Sequence, residues 1–256
     1  MRMLSEEQID ELATNEVLDE TRDVINGFEL GLQEARSGGD PTEVLARLRR
    51  DAFSLRTKSL GVAIPGLAPM IQRLDEYVGN VKALDEQAID DLQAYVDRIA
   101  ALLEGEEVVA FEDIKRVVRE MPHMPAFDVN DIEIHDVEVM VVMPQNSAAR
   151  VVQRELAACG YRATVATNPL EAIGLIVETK PDLVITAMVM PRLSGADLCC
   201  ALAAMPSTKD IPVAVLTSLE LDDPALSELP MTAGRMRRGK AFGDDLADVL
   251  SRFKIT

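Results

Sequence analysis

The pattern of hydrophobic and polar positions divides the chain into two parts with different periods. From Ser5 to about Gly105, apolar residues recur at the three- and four-residue spacing of amphipathic helices. From Val137 onward, short apolar runs alternate with helix-length segments, which is typical of a parallel sheet covered on both faces. The pattern predicts a multidomain chain: an all-α helical bundle at residues 1–105, a connector at 106–136, and an α/β doubly wound, flavodoxin-like five-stranded parallel sheet at 137–256.

Five helices are predicted in the first part. Ser5, followed by two acids, predicts the cap of a first helix, and the apolar stripe after Asn15 predicts a second helix that ends near Arg36. Asp40 and Pro41 are typical of a helix start and begin the third predicted helix, at about 41–60. The fourth and fifth predicted helices cover about 67–81 and 85–104. Helices of this length joined by short loops indicate an antiparallel bundle.

The helix at 41–60 has an apolar face that excludes Phe53. At about 100° per residue this face contains Val44, Leu48, Ala52, Leu55 and Ser59. Phe53 lies well off the face and is predicted to point towards solvent. One interpretation is an aromatic knob at a docking site, since exposed aromatic residues often anchor interfaces. The alternative is an ordinary bundle in which Phe53 packs against a neighbouring helix.

The segment 106–136 is interpreted as a domain boundary. It contains a short amphipathic helix at 111–120, two closely spaced prolines that disfavour helix in the residues before them, and an acidic run at 128–136. Both histidines of the protein, His123 and His135, lie in this segment. The simplest interpretation is that they are solvated linker residues.

Strands and helices are predicted to alternate through the second part. The predicted strands cover 137–143, 162–166, 183–187, 213–217 and 235–238. The predicted helices cover 147–159, 169–178, 195–205, 223–229 and 244–253. Doubly wound sheets place their chemistry at the carboxyl ends of the strands, so the residues at those ends are the candidates for function.

Composition and charge narrow the classes of partner. The net charge of −18 disfavours nonspecific binding to nucleic acid or anionic membrane, and a chain with no Trp lacks the usual stacking platforms for single-stranded nucleic acid. No apolar run approaches the roughly 20 residues of a membrane span, and no signal-peptide core follows Met1. Cys159, Cys199 and Cys200 lack zinc-ligand spacing and are predicted to be reduced thiols. A cytoplasmic protein with protein partners is expected.

The stretch 181–195 resembles the third strand and following loop of response-regulator receiver domains in bacterial two-component signalling. Its apolar strand, Met-Pro turn and Ser-Gly pair match the family pattern. The resemblance covers about residue 137 to the carboxyl terminus. It puts the family's phosphoacceptor aspartate at Ala187. A methyl group cannot attack a phosphohistidine or carry an acyl phosphate, so the resemblance implies a receiver without its acceptor.

The other receiver positions are partly retained. Active receivers hold Mg²⁺ with a pair of acids after the first strand, where this chain has Met143, Pro144 and Gln145. No metal or other cofactor is therefore expected. Thr217 and Lys240 match the family's hydroxyl and lysine. Without a phosphoryl group to neutralise, Lys240 is expected to form a surface or buried ion pair.

The stretch 48–61 resembles the signature of histidine-phosphotransfer domains, which are helical bundles with an exposed phosphohistidine. Phe53 stands in the place of the histidine, Arg56 in that of the basic residue, and Thr57 in that of the glycine. The resemblance implies a degenerate phosphotransfer-like bundle with no nucleophile at this position. It also makes Phe53 and Arg56 candidates for an interface.

Positive charge concentrates at the fifth predicted strand. Arg235 and Arg237 are predicted to point to one side and Arg238 to the other, with Lys240 following; Arg237 also falls on the receiver family's switch aromatic. One interpretation is a sheet edge protected by charge. The other is a surface for an acidic partner, on the face that receivers use for dimers and outputs. The sequence therefore leaves a homodimer as an open alternative.

The leading functional hypothesis is a non-enzymatic two-component signalling adaptor. It would bind a histidine kinase, a response regulator or another signalling protein, with both phosphoacceptor positions lost. The first alternative is a phosphorelay carrier that uses an acceptor not recognised in the sequence. The second is a small-ligand sensor whose altered receiver pocket, around Met143, Ala187 and Thr217, holds a neutral or apolar molecule.

Overall fold

The chain folds into two compact units, residues 1–124 and 125–256. The computed structural model describes the backbone of residues 6–59, 62–124, 135–144 and 147–255, and the side chains of the same residues apart from 6–13 and Ser147. The amino-terminal unit is helical, and the carboxy-terminal unit contains a parallel sheet with helices. The predicted fold class is confirmed.

Four long helices form the body of the amino-terminal unit: α1 (Glu6–Arg36), α2 (Pro41–Ser59), α3 (Leu67–Asn80) and α4 (Glu86–Glu104). The helices α1 and α3 each pack against both α2 and α4, which is the arrangement of a four-helix bundle. Asp40 precedes α2 and accepts a hydrogen bond from the Thr42 N–H, and Asp85 caps α4 by accepting one from Ala88.

The prediction of two helices before Arg36 was wrong, because α1 is one helix of 31 residues. Asn15 lies inside it and is exposed to solvent. An exposed Asn costs a helix interior less than about 1 kcal/mol relative to Ala, so it does not end a helix that tertiary packing supports. Ser5, the predicted cap, lies outside the described residues.

The segment predicted as a connector belongs in part to the bundle. A 3₁₀ turn (Phe111–Asp113) leads into the short helix α5 (Ile114–Arg119), whose apolar residues Ile114, Val117 and Val118 are buried in the same core as α1–α4. The Tyr95 hydroxyl in α4 donates to the carbonyl of Pro122 at 2.6 Å. The apolar face of α5 therefore extends the amino-terminal unit beyond the predicted limit at residue 105.

The carboxy-terminal unit is built on five parallel strands: β1 (Glu138–Val142), β2 (Arg162–Ala166), β3 (Leu183–Ala187), β4 (Val213–Thr217) and β5 (Gly234–Arg237). Their spatial order in the sheet is β2-β1-β3-β4-β5. The helices are α6 (Ser147–Ala158), α7 (Pro169–Thr179), α8 (Gly195–Ala204) and α9 (Phe242–Phe253). Every residue of β1, β3 and β4 is buried, as expected for central strands covered on both faces.

The helix predicted at 223–229 is only a 3₁₀ turn, Pro224–Glu228. Asp223 accepts a hydrogen bond from the Ala225 N–H at its start, and Leu226 is its buried residue. Pro230 follows closely and disfavours helical backbone at Leu229, which is extended. The segment is therefore too short to complete an α-helix.

Candidate functional site

The carboxyl ends of the central strands bring three of the predicted site residues to one edge of the sheet. Ala187 is the last residue of β3, Thr217 is the last of β4, and Met143 directly follows β1. All three are buried, and Ala187 is only 1% exposed. The strand order reverses between β1 and β3, so these residues lie where doubly wound sheets bind ligands.

The loop after β3 packs tightly against the start of α8. The Gly195 N–H donates to the carbonyl of Met188 at 3.0 Å, and a Cβ added to Gly195 would lie 2.3 Å from the Ala187 carbonyl oxygen. Ser194 caps α8 in a capping box with Asp197. The Ser-Gly pair of the sequence motif thus starts the helix and permits a close approach of two backbones.

The side chains at this edge are mostly apolar. Met143 and Met190 are buried, and the Thr186 hydroxyl donates to the Met190 sulfur at 3.8 Å. The Thr217 hydroxyl accepts a hydrogen bond from the Leu219 N–H at 3.0 Å. Pro144 is half-buried, and Gln145 lies outside the described residues. The methyl group of Ala187 offers no nucleophile, and the soft thioether sulfur of Met143 is a poor ligand for the hard cation Mg²⁺.

Acidic groups do not gather into a metal-ligand set within the part of the chain that the structure describes. There, no group of three or more His, Cys, Asp or Glu side chains is close enough together to hold a metal ion. The predicted site residue with a polar side chain at this edge is Thr217, whose hydroxyl is buried.

Lys240 is exposed in the turn between β5 and α9. Among the described residues it forms neither an ion pair nor a hydrogen bond, so the predicted ion pair is not formed there. The turn contains Gly239 in the left-handed region, at φ 89°, which lets the chain leave the strand sharply.

Two of the four cations predicted as a surface patch bond to neighbouring segments of the same unit. The Arg235 guanidinium donates to the carbonyls of Leu221 and Leu226 at 3.0 and 3.1 Å. Arg237 is bound to Asp245 in α9, with the Nη2–Oδ1 distance at 2.8 Å. β5 therefore uses these two side chains to hold neighbouring segments, and the binding role of the predicted patch stays a prediction.

Electrostatics at β5 follow from this pairing. The hydrogen bond from Arg237 lowers the pKa of the Asp245 carboxyl, outweighing the opposite effect of burial. The same bond raises the pKa of Arg237. Arg238 and Lys240 remain exposed. Sequence reasoning missed Asp245, although its signal was present: acids in the first turn of a helix directly after a basic strand.

The predicted faces of α2 are confirmed. Val44, Leu48, Ala52, Leu55 and Ser59 are all buried. Phe53 is 63% exposed, so the alternative in which it packs into the bundle is wrong. Arg56 differs from the expectation: its side chain is only 17% exposed and pairs with Asp75 in α3 at 3.1 Å.

The two histidines differ in exposure, and the three cysteines are unpaired with one another. His123 is half-buried, which contradicts a solvated linker role, whereas His135 is exposed and its ring lies 5.6 Å from that of Tyr161. All three cysteines are free thiols, as predicted. Burial raises the pKa of the Cys199 thiol to about 11.

Comparison with protein families identifies the carboxy-terminal unit. Residues 139–233 match the family described as the response regulator receiver domain. This unit therefore contains a receiver domain of two-component signalling, and the predicted resemblance is confirmed for these residues. Within the described residues, no helix is long and apolar enough to cross a membrane.

Individual relatives match a limited part of the chain. A response regulator MprA from Mycobacterium sp. (strain KMS) is 33% identical over 82 residues, and one from Mycobacterium tuberculosis (strain ATCC 25177 / H37Ra) is 30% identical over 82 residues. Each match covers 32% of this chain, and the chain spans 35% of the length of each relative.

Solved structures resemble somewhat less than half of the chain. The receiver domain of a Pseudomonas aeruginosa sensor histidine kinase is 16% identical with a TM-score of 0.42, covering 46% of this chain and 98% of that one. The receiver domain of a Syntrophus aciditrophicus histidine kinase is 27% identical with a TM-score of 0.40, covering 46% and 89%.

Proposed function

We propose that this protein is a non-catalytic adaptor of two-component signalling that acts by binding other proteins. The observation that carries the proposal is Ala187, a buried methyl group at the end of β3, where the receiver resemblance expects the phosphoacceptor aspartate. A receiver fold that keeps its strands and loops but offers a methyl at this point retains a surface for recognition without the group that accepts phosphate.

The neighbouring residues support the same conclusion. Phosphoryl transfer needs a nucleophile in line with the phosphorus and a cation to neutralise its oxygens. Met143 directly follows β1 and supplies a thioether where the receiver resemblance expects an acid. Thr217 and Lys240 then have no phosphoryl group to contact, and the exposed Lys240 serves as a surface charge.

The helical unit supports binding through a different residue. Phe53 stands where the histidine-phosphotransfer resemblance expects the phosphohistidine, and it exposes most of its ring on α2. Exposing an aromatic ring costs free energy that an interface recovers by covering it. We propose that a histidine kinase, a response regulator or a related signalling protein covers Phe53.

The test is phosphorylation of the intact protein. The chain is incubated with a small-molecule phosphodonor and Mg²⁺, beside a receiver protein that has its acceptor aspartate, and the phosphate on each is measured by intact mass. We expect label on the receiver control and none on this chain. A stable phosphoryl group on this chain would overturn the proposal and support a phosphorelay carrier, and the modified residue would identify the acceptor.

A further inference from the structure

The helix α2 carries five cations, and four of them bond to the helices on either side. On the α1 side, the Arg47 guanidinium lies 2.6 Å from the Glu34 carboxylate and the Lys58 ammonium 2.7 Å from that of Glu20. These two cations neutralise acids of α1. Both charges are therefore already paired within the bundle.

On the α3 side two more cations are bound in the same way. Arg49 donates to the carbonyls of Val78 and Val81 at the end of α3, at 3.3 and 2.6 Å. Carbonyls at a helix end lack partners within the helix, so a guanidinium there satisfies them and complements the helix dipole. Arg56 pairs with Asp75, as described above. Both arginines fix α2 to α3.

Arg50 is the exception. It is exposed, and within the described residues it forms no hydrogen bond and no ion pair, although its charge acts through space on the carboxyl of Asp51. Arg50 precedes Phe53 by three residues, which places the two side chains side by side on one face of the helix. The unused cation of α2 therefore lies next to its exposed aromatic ring.

The residues one turn to either side of this pair are small. Ala46 and Thr57 are both exposed. The Thr57 hydroxyl donates to carbonyls of its own helix, at 3.0 Å to Phe53 and 2.9 Å to Ser54. With its hydroxyl occupied, Thr57 presents mainly a methyl group. We call the surface formed by Ala46, Arg50, Phe53 and Thr57 the α2 face.

The charge of the surrounding unit restricts what this face can bind. Residues 1–124 contain 26 Asp and Glu against 14 Lys and Arg, a net charge of −12. Such a unit repels nucleic acid and anionic lipid at long range. A single unpaired guanidinium beside an aromatic ring instead suits a protein interface, where Arg and aromatic residues are enriched and charge pairs set specificity.

We propose that Arg50 is a specificity residue of the α2 face, and that this face fits a protein surface with an apolar pocket for Phe53 and an Asp or Glu carboxylate beside it. The inference rests on the proposed function, because it takes Phe53 to be a docking residue. It goes further by naming the cation that selects the partner. Arg56, the cation expected from the sequence, is already held by Asp75.

The experiment begins by identifying the partner in the cells of origin. A photo-crosslinking amino acid is placed at Thr57 in the full chain, and the crosslinked peptide is located by mass spectrometry. The purified pair is then measured by calorimetry with Arg50→Glu, Phe53→Ala and Lys209→Glu. Lys209→Glu is the control: Lys209 is exposed in the other unit, and reversing its charge changes the net charge of the protein as much as Arg50→Glu does.

We expect the crosslinked peptide to lie beside an Asp or Glu of the partner. Arg50→Glu should weaken binding roughly tenfold or more, and Lys209→Glu should leave it within about twofold. Reversing the partner's carboxylate to Lys should restore binding to Arg50→Glu. Added salt should weaken binding of the unchanged pair more than binding of the Arg50→Glu variant.

Two failures are distinguishable. If Phe53→Ala abolishes binding but Arg50→Glu binds as tightly as the unchanged chain, the role of Arg50 is wrong and the adaptor function stands. If no partner crosslinks at Thr57, or the captured protein binds Phe53→Ala normally, docking at the α2 face is wrong as well.

Discussion

Arg237 and Asp245 form a two-point ion pair that joins β5 to α9. The Arg237 Nε and Nη2 groups donate to the two carboxylate oxygens at 3.0 and 2.8 Å, and the Arg237 backbone N–H donates to the same carboxylate at 2.7 Å. The Asp245 side chain is only 5% exposed. Three N–H groups therefore satisfy one buried carboxylate and fix the first turn of α9 against the edge strand.

Replacing Asp245 with Asn should loosen α9. The variant keeps the shape but loses the charge, and we expect the free energy of unfolding of the carboxy-terminal unit to fall by about 1–2 kcal/mol, since water screens the partly exposed Arg237. Hydrogen exchange of α9 peptides, followed by mass spectrometry in increasing urea, measures the change. Asp248→Asn on the exposed side of α9 is the control. Equal exchange in the two variants would show that the pair contributes no stability.

The same pair should make stability depend on pH. The pKa of Asp245 is lowered in the folded protein, so its stabilising effect is present above the unfolded pKa of about 4 and is lost as the pH falls through the folded pKa. The stability difference between the unchanged chain and Asp245→Asn should therefore be full at pH 7 and shrink below about pH 4. Urea titrations at pH 3 to 7 measure it. A constant difference across that range would contradict the expectation.

Charge reversal at Arg237 is consequently a poor probe of binding. Arg237→Glu would place a second carboxylate against Asp245 and disturb α9 directly. Arg238 is exposed and follows immediately, so Arg238→Glu is the variant that tests this surface. If the surface binds an acidic partner, Arg238→Glu should reduce association in a salt-sensitive way while α9 exchanges normally.

Alanine substitutions at two glycines of the carboxy-terminal unit should have opposite effects on its stability. In Gly195→Ala the new methyl would lie 2.3 Å from the Ala187 carbonyl oxygen, and we expect the free energy of unfolding to fall by about 2 kcal/mol or more. Gly174 lies inside α7 with open space around it, so Gly174→Ala should gain about 0.5–1 kcal/mol. Urea denaturation measures both. A tolerated Gly195→Ala would mean that the loop after β3 can shift away from α8.

The exposure of Phe53 gives a stability test that separates folding from binding. Phe53→Asp should change the free energy of unfolding by no more than about 0.5 kcal/mol, because the ring is mostly in solvent. Phe28→Ala, at a fully buried position in α1, should cost about 3–5 kcal/mol. Thermal melts compare the two. A severe loss with Phe53→Asp would assign the ring to the core and remove the basis for docking.

The sequence predicted the central strands β3 and β4 well because each is an apolar run bounded by a clear stop. Their bounds agree with the predicted ranges 183–187 and 213–217, and those of the edge strand β2 agree with 162–166. The buried stripe of α2 was also predictable, since one helical face determines it. Local patterns suffice where burial on a regular element is the deciding factor.

The partners of charged side chains were not predictable in the same way. Alternation placed Arg237 on a side of β5, and the acids in the first turn of α9 were candidate partners, but which acid pairs with Arg237 depends on how α9 returns to the sheet. Likewise Arg56 looked like a free cation in sequence, and its pairing with Asp75 follows from how α2 lies against α3. Which arginine of α2 remains unpaired is therefore determined by tertiary packing.

The backbone bond between Arg237 and Asp245 has a consequence for the edge of the sheet. β5 is an outer strand, and the Arg238 N–H donates inward to the Thr217 carbonyl while the Arg237 N–H meets the Asp245 carboxylate. An incoming strand from another molecule would have to displace this charged acceptor before it could pair there. The ion pair therefore also guards this edge against strand-to-strand aggregation, a hazard of exposed sheet margins.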